Sequence, residues 1–245
     1  MRGLTPKLPA LVLSALGLAG VSAAAKGPHT VDNIWTHPRY ASFNVQSIAM
    51  LPPASFERDF DAERLVQGQS GRALVGSGYR WVSSLTSREI LRASPGGDSR
   101  LKVVNTRVLA DGRIDSLTAG VLCRLLRTSA VMSVRVDQWT QVSIEPGQSG
   151  KPWTTVQLHA SLVDATGALL WSASGSETVE GLQYDPAQAD AEHSGTAGTR
   201  ESGLHGSTAA GAPPPYSDVL DRLLSRWAKQ FPARPAPAPD STAAK

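Results

Sequence analysis

Three consecutive runs of alternating side chains, between about residues 130 and 180, constrain this chain more than anything else in it. In the first, Met132, Val134 and Val136, with Val142 and Ile144 further on, alternate with Ser133, Arg135, Asp137 and Ser143. In the second, Val156, Leu158, Ala160 and Leu162 alternate with Gln157, His159 and Ser161. The third is led by Leu169, Trp171 and Ala173 and runs to about Val179. A period of two residues places apolar groups on one face of a half-buried strand. Residues 145–152 form a loop, and Asp164-Ala165-Thr166-Gly167 a tight turn with a glycine free to take positive φ. The three runs therefore predict an antiparallel meander.

The segments before the meander read as alternating strands and helices. Ser47-Ile48-Ala49-Met50-Leu51 is an apolar run stopped by Pro52-Pro53, which cannot donate to a ladder. A helix is expected over Glu57 to Val75, weakened in its middle by Gly68 and Gly71. Tyr79-Arg80-Trp81-Val82-Ser83 reads as a second strand. Thr86 and Glu89 fit a capping box, with Leu85 placed to staple onto Ile90, and Ser94-Pro95-Gly96-Gly97 ends that helix near Ala93. Residues 98–113 are ambiguous, with Leu101-Lys102-Val103-Val104 a candidate strand. Asp115 is placed to cap a helix with Leu117, Ala119, Val121, Leu122, Leu125 and Leu126 on a broad apolar face. Ser217 is expected to cap the last helix, whose stripe is Leu220, Leu223, Leu224, Trp227 and Phe231 and which Pro232 stops. The fold class is α/β in the α+β sense: a mixed sheet of about five strands with helices packed on its faces.

Composition sets the limits of this unit. Residues 1–25 carry Arg2 and Lys7, an apolar run from Leu11 to Val21 and small residues Ala23-Ala24-Ala25, the pattern of a cleavable secretory leader. The alternatives are an uncleaved N-terminal anchor and a mis-set start. An irregular lead-in is expected over 26–42, then a single domain over 43–232. Inside that domain, residues 185–215 are rich in Ala, Gly, Ser, Thr and Pro and are expected to be a disordered insertion; 233–245 is a Pro/Ala-rich tail. No segment after the leader is apolar enough to cross a membrane. The chain has 24 basic and 21 acidic side chains, and losing Arg2 and Lys7 leaves it nearly neutral. Its arginines are scattered, so no nucleic-acid footprint is expected. Cys123 is the one cysteine and lies in an apolar helix face, which predicts a buried thiol; an intermolecular bridge or a reactive thiol is the other reading.

No catalytic constellation stands out. Gly68-Gln69-Ser70-Gly71 and Gly147-Gln148-Ser149-Gly150-Lys151 have neither phosphate-loop nor nucleophile-elbow spacing. The five histidines, His29, His37, His159, His193 and His205, include no pair at metal-ligand spacing. No catalytic, cofactor-binding or metal-ligating residue is assigned. Trp139, Gln141 and Ser143 share one strand face, and Trp153, Thr155, Gln157 and His159 another. If these meet across the hairpin, Trp139, Trp153 and His159 make an aromatic-polar patch. Its two readings are cross-strand packing and a partner surface.

The strand Ser47–Pro53, the run Gly78-Tyr79-Arg80-Trp81-Val82, the segment Asp137-Gln138-Trp139, the hairpin Val156–Trp171 with its run Ser161-Leu162-Val163-Asp164-Ala165-Thr166-Gly167-Ala168-Leu169-Leu170-Trp171, and the closing helix before Pro232 together resemble a group of bacterial envelope proteins. That group shares the domain of the TolB N-terminal region, the curli secretion lipoprotein CsgG and the penicillin-binding-protein activator LpoB, and includes neisserial-type periplasmic lipoproteins. The resemblance implies a non-enzymatic accessory or assembly role through binding to another envelope protein. It supplies no catalytic residues. Many members carry a lipobox cysteine, whereas here Leu18-Ala19-Gly20 is followed by Val21, so no lipid anchor is expected and the product is periplasmic or secreted. Two other functions remain open at this point: an exported hydrolase with dispersed catalytic residues, and a subunit of a secretion-type assembly.

Overall fold

The computed structural model describes residues 30–56, 59–145, 147–185 and 212–234. The leader, most of the expected insertion and the tail from residue 235 lie outside the described residues. The sheet is mixed, as expected, but has seven strands rather than about five. In chain order the elements are β1 (Val31–Thr36), β2 (Ser47–Met50), β3 (Ala54–Ser55), α1 (Phe60–Leu74), β4 (Arg80–Val82), α2 (Ser84–Ala93), α3 (Gly97–Asp111), α4 (Ser116–Leu126), β5 (Ala130–Val142), β6 (Trp153–Asp164), β7 (Leu169–Glu180) and α5 (Tyr216–Gln230).

The sheet order is β1-β7-β6-β5-β2-β4, with the two-residue β3 pairing against β5. The meander β5-β6-β7 is antiparallel, and β1 joins β7 antiparallel. On the other side of β5, strands β2 and β4 run parallel. The parallel half needs helical crossovers, which α1 and the α2–α4 group supply.

Helix starts follow from side chains that satisfy free backbone N–H groups. Asp59 accepts from the N–H groups of Asp61 and Ala62 to begin α1, and Asp115 accepts from Thr118 to begin α4. Arg127 then ends α4 in the left-handed region, at φ 52°. Gly167 closes the β6–β7 turn at φ 84°, as the sequence predicts: a Cβ there would stand 2.3 Å from Ser116 Cα.

The core lies on both faces of the sheet. On one face, Met132, Val134, Val136, Leu158, Leu162, Trp171 and their neighbours pack against Val66 of α1 and Leu220, Leu223 and Trp227 of α5. On the other, Ala49, Leu51, Val131 and Val163 pack under Leu91 of α2, Val104 and Val108 of α3 and Leu122 and Cys123 of α4. Cys123 is thus a buried free thiol. Each fully buried aliphatic side chain contributes roughly 1.5–3 kcal/mol relative to exposure, which is what closes a chain with no internal disulfide.

Four expectations are corrected. The lead-in is not irregular throughout: residues 31–36 are the edge strand β1, whose single apolar contact with the core, Ile34, gives no alternating apolar signal. Residues 97–111 are one helix, α3, and not a strand; it starts at Gly97, packed so tightly that a Cβ would stand 2.1 Å from Leu91 O. The cap of α2 is Ser83, which accepts from Thr86 N–H, so Thr86 lies inside the helix. Helix α5 starts at Tyr216 with Pro215 at its cap position, one residue before the expected Ser217 is reached.

Candidate functional site

The register of β5 against β6 decides where the expected patch residues stand. Val136 pairs with Leu158, but Gln138 pairs with Gln157, so Asp137 is an extra residue in β5. A bulge of this kind reverses the side-chain alternation beyond it. Trp139 accordingly joins Val156 on the face covered by α5, while Gln138 and Thr140 turn to the opposite face with Gln157 and Thr155. Trp153, Thr155, Gln157 and His159 remain on that opposite face. The structure therefore separates Trp139 from Trp153 and His159.

Trp139 is occupied within the chain. Its ring stacks on Tyr216 at the start of α5, with centroids 4.4 Å apart and planes inclined by 13°. Beside it, Gln141 Nε2 and Thr154 Oγ1 both donate to Pro214 O, at 2.8 and 2.5 Å. Together these contacts hold the segment leading into α5 against the ends of β5 and β6.

Trp153 and His159 belong to a different surface. Helices α2, α3 and α4 cover their face of the sheet near β2 and β5, with α4 reaching β6. Strands β5 and β6 are 13 and 12 residues long and run on past this cover. The remaining face carries Trp153, Gln157 and His159 from β6, with Ser172, Ser174, Ser176 and Thr178 from β7, all partly exposed. On β1 it ends in Val31 and Trp35, which are 60% and 41% exposed. Hydroxyl pairs brace it: Thr155 Oγ1 to Thr178 Oγ1 at 2.7 Å and Ser133 Oγ to Ser161 Oγ at 2.9 Å.

His159 stands at the boundary between the covered and open parts. It lies opposite Arg135 on β5, and a Cβ at Gly112 would come within 2.8 Å of its ring. Arg135 is itself held by Asp137 Oδ1 and by Leu109 O, and its guanidinium lies 5.5 Å from the Phe56 ring centroid. Burial, and then the Arg135 charge, hold the His159 pKa below the ordinary imidazole value, with Asp137 acting the other way. In front of His159 opens a polar cleft of about 740 Å³, whose wall includes Asp111, Arg113, Asp115, Ser161 and Ser172.

Among the described residues the cleft shows no assembled nucleophile. Ser161 Oγ donates to Gly112 O at 3.0 Å and pairs with Ser133, rather than with His159. Asp115 is committed to Thr118 as a helix cap, and those hydrogen bonds lower its pKa. Among the described residues no group of three or more His, Cys, Asp or Glu side chains could hold a metal ion. No helix among them is long and apolar enough to cross a membrane.

What sequence reasoning missed is the serine row Ser172, Ser174, Ser176 with Thr178, and the edge pair Val31 and Trp35. Only the start of the row alternates with apolar residues, Ser172 and Ser174 with Trp171 and Ala173; Gly175 and Glu177 break the pattern further on.

No protein-family model matches the chain, and no curated protein does. Among solved structures it is similar to lipoprotein GNA1162 from Neisseria meningitidis, with 19% identity over 61% of this chain and 93% of that one, at a TM-score of 0.43. It is also similar to a PelC dodecamer from Paraburkholderia phytofirmans, with 15% identity, 80% and 96% coverage and a TM-score of 0.39. The hypothetical protein CT253 from Chlamydia trachomatis shares 10% identity over 76% of this chain and 95% of its own, at a TM-score of 0.41.

Proposed function

We propose that this chain is an exported, non-enzymatic protein of the cell envelope that acts by binding another envelope protein. The observation that carries the reading is the open half of the sheet face bearing Trp153, Gln157 and the β7 serine row. The solvated face of an antiparallel sheet is characteristically polar. This one is mixed: a half-buried tryptophan, a half-buried histidine and two exposed apolar side chains on β1, set among hydroxyls and amides. Aromatic anchors ringed by hydrogen-bonding groups are the make-up of a protein interface centre. The leader-like pattern of the first residues supports an interface outside the cytoplasm.

The reading is tested on a purified complex once a partner has been identified by crosslinking. Trp153→Ala and Gln157→Arg are each expected to weaken the complex about tenfold or more, with the melting temperature held within a few degrees. Undiminished affinity in both variants would remove this face from the interface.

A further inference from the structure

The opposite end of the sheet carries a second feature, remote from the Trp153 face. Strand β4 is the terminal strand, paired on one side with β2. Arg80 N–H donates inward to Gln46 O. In a parallel ladder consecutive residues point their backbone groups to alternate sides, so the N–H and C=O of Trp81 face the free edge.

An apolar groove of about 400 Å³ runs beside this edge, between α1 and the start of α2, lined by Gly68, Gly71, Arg72, Trp81, Val82 and Leu85 among others. Glycine weakens a helix interior. Among the described residues Gly71 serves no close packing: a Cβ there would meet nothing within 4 Å. The groove is bounded by apolar side chains that stand out to solvent, Val75 at 57% exposure and Leu85 at 55%. Two buried polar atoms on its wall, Trp81 Nε1 and Ser84 Oγ, have no hydrogen-bond partner among the described residues. Among the described residues no Asp or Glu lines it, while Arg72 is exposed at its margin and Arg80 is exposed on the strand itself, its Nη2 donating to Arg127 O at 3.0 Å.

We infer that the β4 edge and this groove receive an extended segment of another protein, apolar at alternate positions and acidic at its flanks. Such a segment adds a strand to the sheet. Its backbone pairs with the free groups of Trp81, one row of apolar side chains enters the groove over Gly71, and its carboxylates meet Arg72 and Arg80. The strand is only three residues long, so the ladder is short and the groove and charges carry most of the discrimination.

The test uses the full chain and a short fluorescein-labelled peptide of alternating valine and threonine with an aspartate at each end, followed by fluorescence anisotropy. Saturable binding is expected. Gly71→Leu, which fills the groove, is expected to weaken it at least about tenfold, and exchanging the aspartates for lysines at least about fivefold. Gly71→Ala controls for the helix. Should Gly71→Leu fail to fold, Arg72→Glu on the exposed margin carries the same comparison. Absence of saturable binding, full affinity in Gly71→Leu or Arg72→Glu, or indifference to the charge exchange would overturn the inference. So would a dimer in light scattering that Gly71→Leu dissolves, because the occupant would then be a second copy.

Discussion

Arg226 of α5 grips Asp32 of β1, its Nε donating to Oδ2 at 2.5 Å and its Nη2 to Oδ1 at 3.2 Å. The third donor, Nη1, reaches Glu177 of β7 at 2.6 Å, and Trp227 Nε1 adds a bond to Asp32 Oδ1 at 3.3 Å. One guanidinium thus ties the edge strand, its neighbour and the last helix together. Burial works against the charge, but the hydrogen bonds and charges of Asp32 and Glu177 together outweigh it and raise the pKa above an already high value, so the charge is constant at any pH used for handling. Arg226→Leu leaves two carboxylates close together, with side chains 16% and 9% exposed. The expected loss is roughly 2–3 kcal/mol in urea unfolding, with early fraying of β1 in hydrogen exchange. Arg226→Lys, which keeps charge but not the fork, should recover only part. A loss below about 0.5 kcal/mol for Arg226→Leu would mean the network does not hold β1.

The tryptophans on the two sides of the sheet should behave differently. Trp139→Ala removes the stack on Tyr216 and is expected to cost roughly 2 kcal/mol and to loosen the start of α5. Trp153→Ala, on the open face, should cost less than about 1 kcal/mol. Paired denaturation curves check this, and equal losses would contradict the assignment of Trp139 to the covered face.

His159 predicts a pH effect on stability. Its folded-state pKa lies below the unfolded value, so between the two the unfolded chain binds the extra proton. Its contribution is therefore fully present above the unfolded pKa of about 6.5 and is lost as pH falls through the folded value. Urea midpoints should drop more from pH 7.5 to 5.5 in the wild type than in His159→Gln. Parallel slopes in the two proteins would show that His159 is not the titrating group.

Burial, assisted by the charge of Asp164, pushes the Cys123 thiol up to about 11. At pH 8 its thiolate fraction falls roughly two-hundredfold below that of a free cysteine. Native protein should therefore resist a thiol reagent that labels the urea-unfolded chain within minutes, and rapid native labelling would contradict the packing of α4.

Much of this fold was legible in the sequence where a side-chain period met a buried face. The meander, the Gly167 turn, the Asp115 cap and the apolar stripe of α5 all follow from patterns that packing reinforces. The parts that were not legible share a physical cause. The extra residue Asp137 reverses the alternation within a single strand, so the pattern in Val134 and Val136 misplaces Trp139 by one face. An edge strand such as β1 buries little, and its key residue Asp32 makes its contacts nearly 200 positions away, at Arg226 and Trp227. Helix α3 has a narrow buried face, with Val104 and Val108 its principal apolar anchors. For the site, Trp153 and His159 were legible as a shared strand face, whereas the neighbouring β7 serines and the β1 edge depend on sheet order, which no local pattern encodes.

The central claim, that the open face bearing Trp153 binds an envelope protein, is tested most directly by site-specific photocrosslinking in intact cells. A photoreactive side chain is placed at Gln157, at Ser174, or at Arg222 on the exposed side of α5 as a control. The account predicts one discrete adduct of the same mass from Gln157 and Ser174 and none from Arg222, with the adduct protein reconstituting a complex that Trp153→Ala weakens. No adduct from either face position, or the same adducts from Arg222, would contradict it.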